Sequence, residues 1–568
     1  MQNHSSLYMN TTKTNNLFLS LLLSAIGGIL LGLATNEVFG VPLSPLAWFC
    51  LVPLFFSLKN AETALHFFLH TYVFSVFFLS FVLTAFVLHS FLGGFLLITI
   101  GALVFSIPFW VVYFFKTKFG FRKNLFLLPL IWPLFDWFII ERILAMPILS
   151  IYVNQAALPW LIQYIDITGY TGISFWLIAL NIFIFCMLDD GIELRKTNPT
   201  YLLTFGGKRF VILFSVFFLP PLLYNLYVKS TLPSSFGDEI RVSVVQSGYP
   251  SYEMEDFFEI GFMQLITVTD SLIAAGATDL IVWPEGGVPT DFKDSKEIQN
   301  YLFQKVLEWE TPLLTGTFDS ESLNQIPSLQ QYLGRDYKVY NSAIMITPQL
   351  AWMALEENMD ISRLRVYRKQ NLMHFTERVP LSEAFPVLSN LVVDLGGETH
   401  ISEGSGPTSL RFSTKNQSII DVSPIICWDL LFTSSSSKST ASEVQFIAAL
   451  TNESPLGDAF TTTAHEMESF TRLRSIESRR SIAKSSTTGY SFFTDPFGNV
   501  YGKLPWYSVG FSTENITLTT HSSLYSRFPQ AFPFLCLFGL ILFFLIQNKN
   551  PKTEPTFKKR KKSTTRRL

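Results

Sequence analysis

The 568-residue chain is 49% hydrophobic and only 15% charged, with 56 phenylalanines, whereas soluble proteins carry about 25% charged residues. So little charge cannot solvate so much apolar surface, which excludes a purely soluble or disordered protein. Basic residues number 42 against 44 acidic, a net charge of -2, so no general affinity for polyanions follows; the 4 cysteines exclude a disulfide scaffold. The composition is that of a membrane protein with a soluble part attached.

Uncharged stretches long enough to cross a bilayer as helix, about 20 residues each, begin at Leu17–Asn36 and Val38–Leu58. Thr63–Phe115 holds no Asp, Glu, Lys or Arg and is long enough for two helices, with a break near His89, Ser90, Gly93 and Gly94. Asn124–Ile140, interrupted only by Asp136, then Ile167–Leu188 and Phe210–Val228, bring the count to about seven spans. Pro529–Asn548 adds one more near the end. Leu17–Leu33 lacks a following small-residue cleavage site, so it is predicted as an uncleaved first span rather than a signal peptide. Ile143–Ile165 is uncharged too, but Pro147, Asn154, Gln155 and Pro159 predict a loop lying on the membrane.

Loop charges orient these spans. With the N-terminus inside, the inner loops hold Lys59; then Lys116, Lys118, Arg122 and Lys123; then Arg195, Lys196, Lys208 and Arg209. The outer loops hold only Arg142 among basic residues. Cationic loops stay on the cytoplasmic side, so the soluble region falls outside. The tail after Asn548 returns to the cytoplasm, with Lys549, Lys552, the run Lys558–Lys562, Arg566 and Arg567 against the single acid Glu554. The expected organisation is a membrane domain over 1–236, a soluble domain over 237–512, and a last span with a basic tail over 513–568.

Within Gly237–Ser512 short β-branched runs alternate with amphipathic stretches. Strands are predicted at Ile240–Gln246, Asp279–Trp283, Pro312–Thr317, Ala343–Thr347, Ile419–Cys427 and Val444–Leu450, and helices at Met254–Ala275 and Thr463–Arg480. Buried strands alternating with helices predict a layered α/β domain. Ser434–Ser437 is predicted as a polar loop. Ala384–Leu395 is too apolar for an exposed loop, and is expected to form an arm that dips into the bilayer.

Chemistry-bearing residues stand where strands end: Trp283-Pro284-Glu285, Tyr367-Arg368-Lys369 and Ile425-Ile426-Cys427-Trp428-Asp429. Cys427 is the one cysteine of the soluble region; Cys50, Cys186 and Cys536 lie in predicted spans. A lone cysteine after an apolar strand is by itself most often a core residue. A nucleophilic one needs a proton acceptor and a nearby positive charge, and Glu285 and Lys369 would supply them. From spacing alone these two also fit a structural ion pair. His66 and His70 have metal-ligand spacing but no third ligand in view. His465-Glu466 lacks the second histidine of a zincin, and Gly404-Ser405-Gly406 lacks the spacing of a nucleophile elbow. No metal and no cofactor is expected.

The Glu…Lys…Cys order resembles the nitrilase superfamily, and its place between seven spans and an eighth resembles the apolipoprotein N-acyltransferases within it. Further matching residues are Val245-Gln246, the segment Phe375-Thr376-Glu377-Arg378-Val379-Pro380, Thr451-Asn452, Arg474 to Arg480 and Asp495-Pro496-Phe497-Gly498. The resemblance implies an αββα sandwich outside the membrane. It also implies transfer of a fatty acyl chain from a phospholipid to the α-amine of a diacylglyceryl-cysteine apolipoprotein, through a Cys427 thioester. It makes Glu285 the general base, and Lys369 the stabiliser of the thiolate and, with the Trp428 backbone N–H, of the oxyanion. Glu377 becomes the orienting second glutamate. The location implied is the bacterial inner membrane, with the enzymatic domain periplasmic and no nucleic-acid partner. Departures are Asp429 in place of glutamate, His374-Phe375-Thr376 in place of Pro-Phe-Gly, and Ser454 where a large aromatic is usual. A lipid- or lipoprotein-binding paralogue without turnover, and a membrane-tethered amidase, are the other readings the residues leave open.

Overall fold

The computed structural model describes residues 2–38, 41–197, 202–249, 255–357, 359–361, 364–392, 399–440, 443–456 and 461–549. Five helices among them are long and apolar enough to cross a membrane: Ala64–Val82, Phe91–Lys116, Phe121–Ile143, Tyr170–Arg195 and Gly206–Ser234. Three further expected spans are shorter apolar helices, Leu17–Leu33, Ser44–Lys59 and Ala531–Ile546. The second differs most from expectation. A small hairpin, Glu37–Val38 with Val41–Pro42, and a 3-10 turn Ser44–Trp48 take its first half, because Pro42 and Pro45 withhold N–H groups from a helix there. The expected break falls in place: one helix stops at His89, and the Ser90 hydroxyl accepts from the Gly93 N–H at 3.2 Å to start the next.

The α/β domain is two six-stranded sheets face to face. The first contains β1 (Glu239–Gln246), β2 (Leu280–Val282), β3 (Leu313–Ser322), β4 (Tyr337–Ile346), β5 (Val366–Arg368) and, on the far edge, β12 (Gly510–Thr517), in the order β12-β1-β2-β3-β4-β5. The second contains β6 (Leu410–Ser413), β7 (Ile419–Ile426), β8 (Phe446–Thr451), β9 (Ile482–Ser486), β10 (Phe492–Thr494) and β11 (Val500–Tyr501), in the order β11-β10-β9-β8-β7-β6. In each sheet three strands run parallel, β1-β2-β3 and β7-β8-β9. Period-two alternation sorts their side chains. Val242, Val244, Leu280, Val282, Leu314, Val422, Ile426, Ala448 and Leu450 form the core between the sheets. Val245, Ile281, Trp283 and Leu313 face outward onto α1 (Glu255–Ala275) and α2 (Lys296–Trp309). β12 runs on past the boundary expected at Ser512.

The other outer face explains the fusion to a membrane. Ile425, Ile447, Ala449 and Ile482 belong to one apolar cluster with Met467, Phe470 and Leu473 of α4 (Thr462–Ser478), and that cluster continues into the membrane helices through Trp132, Tyr152 and Tyr170. Two expectations change here. Ile143–Ile165 is not spread on the membrane: Ile148, Tyr152, Asn154, Gln155 and Leu161 are buried, since the segment is the filling between α4 and the membrane helices. Ser434–Ser437 is not a loop but lies in α3 (Thr433–Thr440), with Ser435, Ser436 and Ser437 buried; small hydroxyl side chains let this helix pack closely while bonding local acceptors. Ala384–Leu395 is a 3-10 turn over Pro386–Leu391, and Phe385, Val387 and Leu391 are exposed; Val393 and Leu395 lie outside the described residues.

Candidate active site

Parallel strands end on the same side, and the sequence-predicted residues converge there. Glu285 follows β2, Lys369 follows β5, Cys427 follows β7 and Asn452 follows β8. The turn carrying Glu285 presses against β3: a Cβ on Gly316 would lie 2.8 Å from the Glu285 Cα and 2.7 Å from the Gly286 nitrogen, so glycine is required for that approach. Cys427 has φ +45°, a left-handed backbone that a side chain tolerates only when its surroundings hold it. It opens the 3-10 turn Cys427–Leu431.

Lys369 Nζ lies 3.3 Å from Glu285 Oε1 and 2.8 Å from Glu377 Oε1. Glu285 Oε1 also accepts from Asn341 Nδ2 at 2.7 Å, and Oε2 from the Asn452 backbone N–H at 2.9 Å. Glu377 Oε2 accepts from the Met373 N–H at 2.8 Å, which fixes its carboxyl against the lysine. The Cys427 thiol donates to the Asn452 carbonyl oxygen at 3.6 Å and lies within electrostatic reach of Glu285. Glu285 and Lys369 are buried, whereas Cys427 keeps partial exposure.

The electrostatics follow from that burial. Desolvation raises the Glu285 carboxyl above its ordinary range; Glu377 adds to the rise, while Lys369 and the bond from Asn341 oppose it. Burial alone would lower Lys369, but the carboxylates of Glu285 and Glu377 outweigh it and hold the ammonium charged. The Cys427 thiol is pushed well up, first by burial and then by Glu285. Excess carboxylate around one ammonium favours the neutral thiol, so a neighbouring base would have to take its proton before the sulfur could attack.

Asp429 sits behind the cluster. It accepts from Tyr367 Oη at 2.6 Å, from the Asn371 N–H at 2.7 Å and from Asn371 Nδ2 at 2.9 Å, tying the chain after Lys369 to the Cys427 turn. The shorter acid still reaches because the backbone comes to it. Trp428 points its indole N–H to the Ala145 carbonyl at 3.4 Å, onto the segment between α4 and the membrane helices. Asn341 was not foreseen; its only signal is an amide amid the apolar end of β4. Also unforeseen is a seam of charge between the two halves. Arg479 Nη2 meets Asp166 Oδ2 at 2.8 Å and Nη1 meets Gln163 Oε1 at 2.6 Å, while the Tyr170 N–H donates to Glu477 Oε1 at 2.8 Å. His70, considered for metal binding, instead lies 3.1 Å from the Ser24 hydroxyl and 3.4 Å from that of Ser20.

Residues 27–183 match the family of apolipoprotein N-acyltransferase N-terminal domains, and residues 241–524 match the carbon-nitrogen hydrolase family. An apolipoprotein N-acyltransferase of Chlorobaculum tepidum is 29% identical over 523 residues, 91% of this chain and 94% of its own. Another, of Geobacter metallireducens, is 23% identical over 542 residues, 91% and 93% of the two chains. Among solved structures, Saccharomyces cerevisiae Nit3 of the nitrilase superfamily aligns over 52% of this chain and 96% of its own, with 16% identity and a TM-score of 0.33.

Proposed function

The chain belongs to the apolipoprotein N-acyltransferases of the carbon-nitrogen hydrolase family, and we propose that it N-acylates lipoproteins by a two-step transfer through Cys427. The Cys427 sulfur attacks the ester carbonyl of a phospholipid as its proton passes to Glu285. The tetrahedral intermediate collapses, the C–O bond breaks, and Glu285 returns the proton to the departing lysophospholipid alcohol. The α-amine of a diacylglyceryl-cysteine acceptor then attacks the thioester. Its proton goes to Glu285 and on to the sulfur as the C–S bond breaks. Lys369 and the Trp428 backbone N–H face the developing oxyanion, a role in which each donor typically contributes about 3–4 kcal/mol. Glu377 keeps Lys369 placed.

One observation carries this reading: the Glu285–Lys369–Glu377 cluster meets a cysteine at the mouth of a domain whose outer core is continuous with the membrane helices. Both substrates are lipids, and that continuity brings the nucleophile to them. Charge placement supports an inner-membrane orientation with the α/β domain periplasmic. Lys59 meets Asp189 at 2.6 Å, while Arg122 at 2.6 Å and Arg209 at 2.7 Å both meet Asp190. That end of helix Tyr170–Thr197 is opposite the end where Tyr170 binds Glu477, so the basic end faces the cytoplasm.

The test incubates purified protein with labelled phospholipid alone, then adds a diacylglyceryl lipopeptide. A hydroxylamine-sensitive adduct on Cys427, discharged as N-acylated peptide, is expected. N-acylation with no adduct on Cys427, even with acceptor withheld, overturns the two-step route.

A further inference from the structure

The loop after β8 holds a polar group that the mechanism above leaves idle. Asn452 touches both reactive side chains through its backbone: its N–H donates to Glu285 Oε2, and its carbonyl stands 3.6 Å from the Cys427 sulfur. Its side chain is 2% exposed. The amide oxygen Oδ1 takes three donors, the Ser454 N–H at 3.2 Å, the Ser454 hydroxyl at 2.9 Å and the Thr487 hydroxyl at 2.5 Å. A backbone N–H can only donate, so it fixes which end of the amide is oxygen; the flipped amide would set donor against donor. Nδ2 is therefore left on the other edge, buried, with no hydrogen-bond partner among the described residues. Native structures seldom leave such a donor unmet; a water or a ligand normally supplies the acceptor.

We propose that Asn452 is a further catalytic residue, whose Nδ2 donates to the acyl carbonyl oxygen at Cys427 in both tetrahedral intermediates and in the thioester between them. This rests on the acyl-transfer reading. The choice of ligand atom follows from what the substrates present. Two N–H bonds repel an ammonium, and an attacking amine must keep its lone pair for the carbonyl carbon. The acyl carbonyl oxygen is the acceptor that both half-reactions bring to the sulfur, and it gains negative charge in each. The same geometry gives Ser454 a purpose. It stands where a large aromatic was expected, and supplies two of the three donors that turn Nδ2 away from Oδ1's side; Ser454 is thus a positioning residue.

Asn452→Asp keeps the acceptor for all three donors and changes only the unpartnered atom, while Asn452→Ala removes the donor without adding charge. Acylation of Cys427 is timed with phospholipid and, in parallel, with a p-nitrophenyl acyl ester, whose C–O bond breaks as the C–S bond forms. The carbonyl stretch of a 13C-labelled thioester is recorded in each acyl-enzyme. Both variants are expected to acylate about 10²-fold more slowly, with KM nearly unchanged, and to shift the thioester stretch upward as a hydrogen bond is lost. Ser454→Ala should give a smaller loss and a partial shift. Wild-type rates in Asn452→Asp, a loss in Asn452→Asp alone, or an unmoved stretch would each overturn the proposal. Acylation by the activated ester but not by phospholipid would overturn the lipid-donor reading while still reporting on Asn452; acylation of Cys427 by neither overturns both.

Discussion

The α/β domain buries two glutamate–lysine pairs, Glu285–Lys369 and Glu453–Lys484, and only one has the makings of chemistry. Glu453 follows β8 and pairs with Lys484 of β9; both are fully buried. Lys484 spends its remaining donors on the Tyr490 carbonyl at 2.6 Å and lies over the Phe492 ring, and the Thr451 hydroxyl donates to Glu453 at 3.2 Å. Lys484 is held by fixed protein groups. Glu453 Oε1 takes both the lysine and the Thr451 hydroxyl, while Oε2 is buried with no hydrogen-bond partner among the described residues, and the described contacts include no reactive atom. In the Glu285–Lys369 pair the lysine is divided between two carboxylates, and the glutamate acts electrostatically on a thiol. A one-to-one pair has the form of scaffold. An oversubscribed one, with two carboxylates on one ammonium beside a partly exposed cysteine, is the arrangement the proposed transfer requires.

The largest expected difference between the pairs is catalytic. Cys427→Ala should abolish the acyl-enzyme, and Glu285→Gln and Lys369→Ala should slow its formation by about 10³-fold or more, from loss of base and oxyanion donor. Lys484→Met made together with Glu453→Gln should leave acylation per folded molecule within about tenfold. Rates from labelled phospholipid, normalised to folded protein, check this; equal losses at both pairs would erase the distinction.

Stability should divide them the other way. Lys484→Met alone leaves Glu453 buried and unpaired and should cost about 3–5 kcal/mol, most of it recovered in the double variant. Melting in detergent measures both. For the reactive pair the sign follows from Lys369, whose ammonium is held well above its ordinary pKa by Glu285 and Glu377. That contribution is complete below the unfolded lysine value of about 10.4 and is lost as pH rises through the higher folded one. Activity has its own limb. Glu285 must be ionised to act as base, and burial raises it. The acid side of kcat/KM should therefore break above pH 4.5, the ordinary value for glutamate, and Glu285→Gln should lack that break.

Sequence pattern carried the fold where apolar residues alternate. β1, predicted at Ile240–Gln246, is Glu239–Gln246, and the ends of β2 and β7 were legible because the strand apolarity gives way at Pro284-Glu285 and at Cys427-Trp428-Asp429. It failed where burial is polar. β9 reads Ile482-Ala483-Lys484-Ser485-Ser486 and escaped notice, since Lys484 is neutralised by Glu453 and Ser485 donates to the Val245 carbonyl at 2.7 Å across the sheets. The Ser434–Ser437 helix and the Ile143–Ile165 filling failed for one shared reason. Both lie in the seam between the halves, where contacts come from residues hundreds of positions away. Asn341 and the Asn452 side chain are placed by individual hydrogen bonds, which leave no periodic trace.

The smallest effect belongs to the arm, where the contrast between closed and open arrangements recurs in apolar form. Phe385 is 60% exposed, Val387 62% and Leu391 57%, so ordinary core packing, the other account of so apolar a segment, does not describe them. The arm is tied at its base instead. The Glu383 carbonyl accepts from the Ser328 hydroxyl at 3.2 Å, and Asn390 donates to Tyr332 at 3.0 Å. Glu377, which holds Lys369, lies just upstream. An exposed apolar side chain loses nothing in the folded protein when made polar, so Phe385→Ser with Val387→Ser should leave the melting point within the scatter of surface variants, about 0.5 kcal/mol. Transfer into lipid would normally gain about 1.5–3 kcal/mol for each such side chain fully buried, and less here, because the rest of the chain is already anchored. The expected result is a rise of about threefold in KM for phospholipid in nanodiscs, with kcat unchanged, since only binding common to ground and transition state is removed. A lower melting point with unchanged KM would put these side chains in the protein core rather than in lipid.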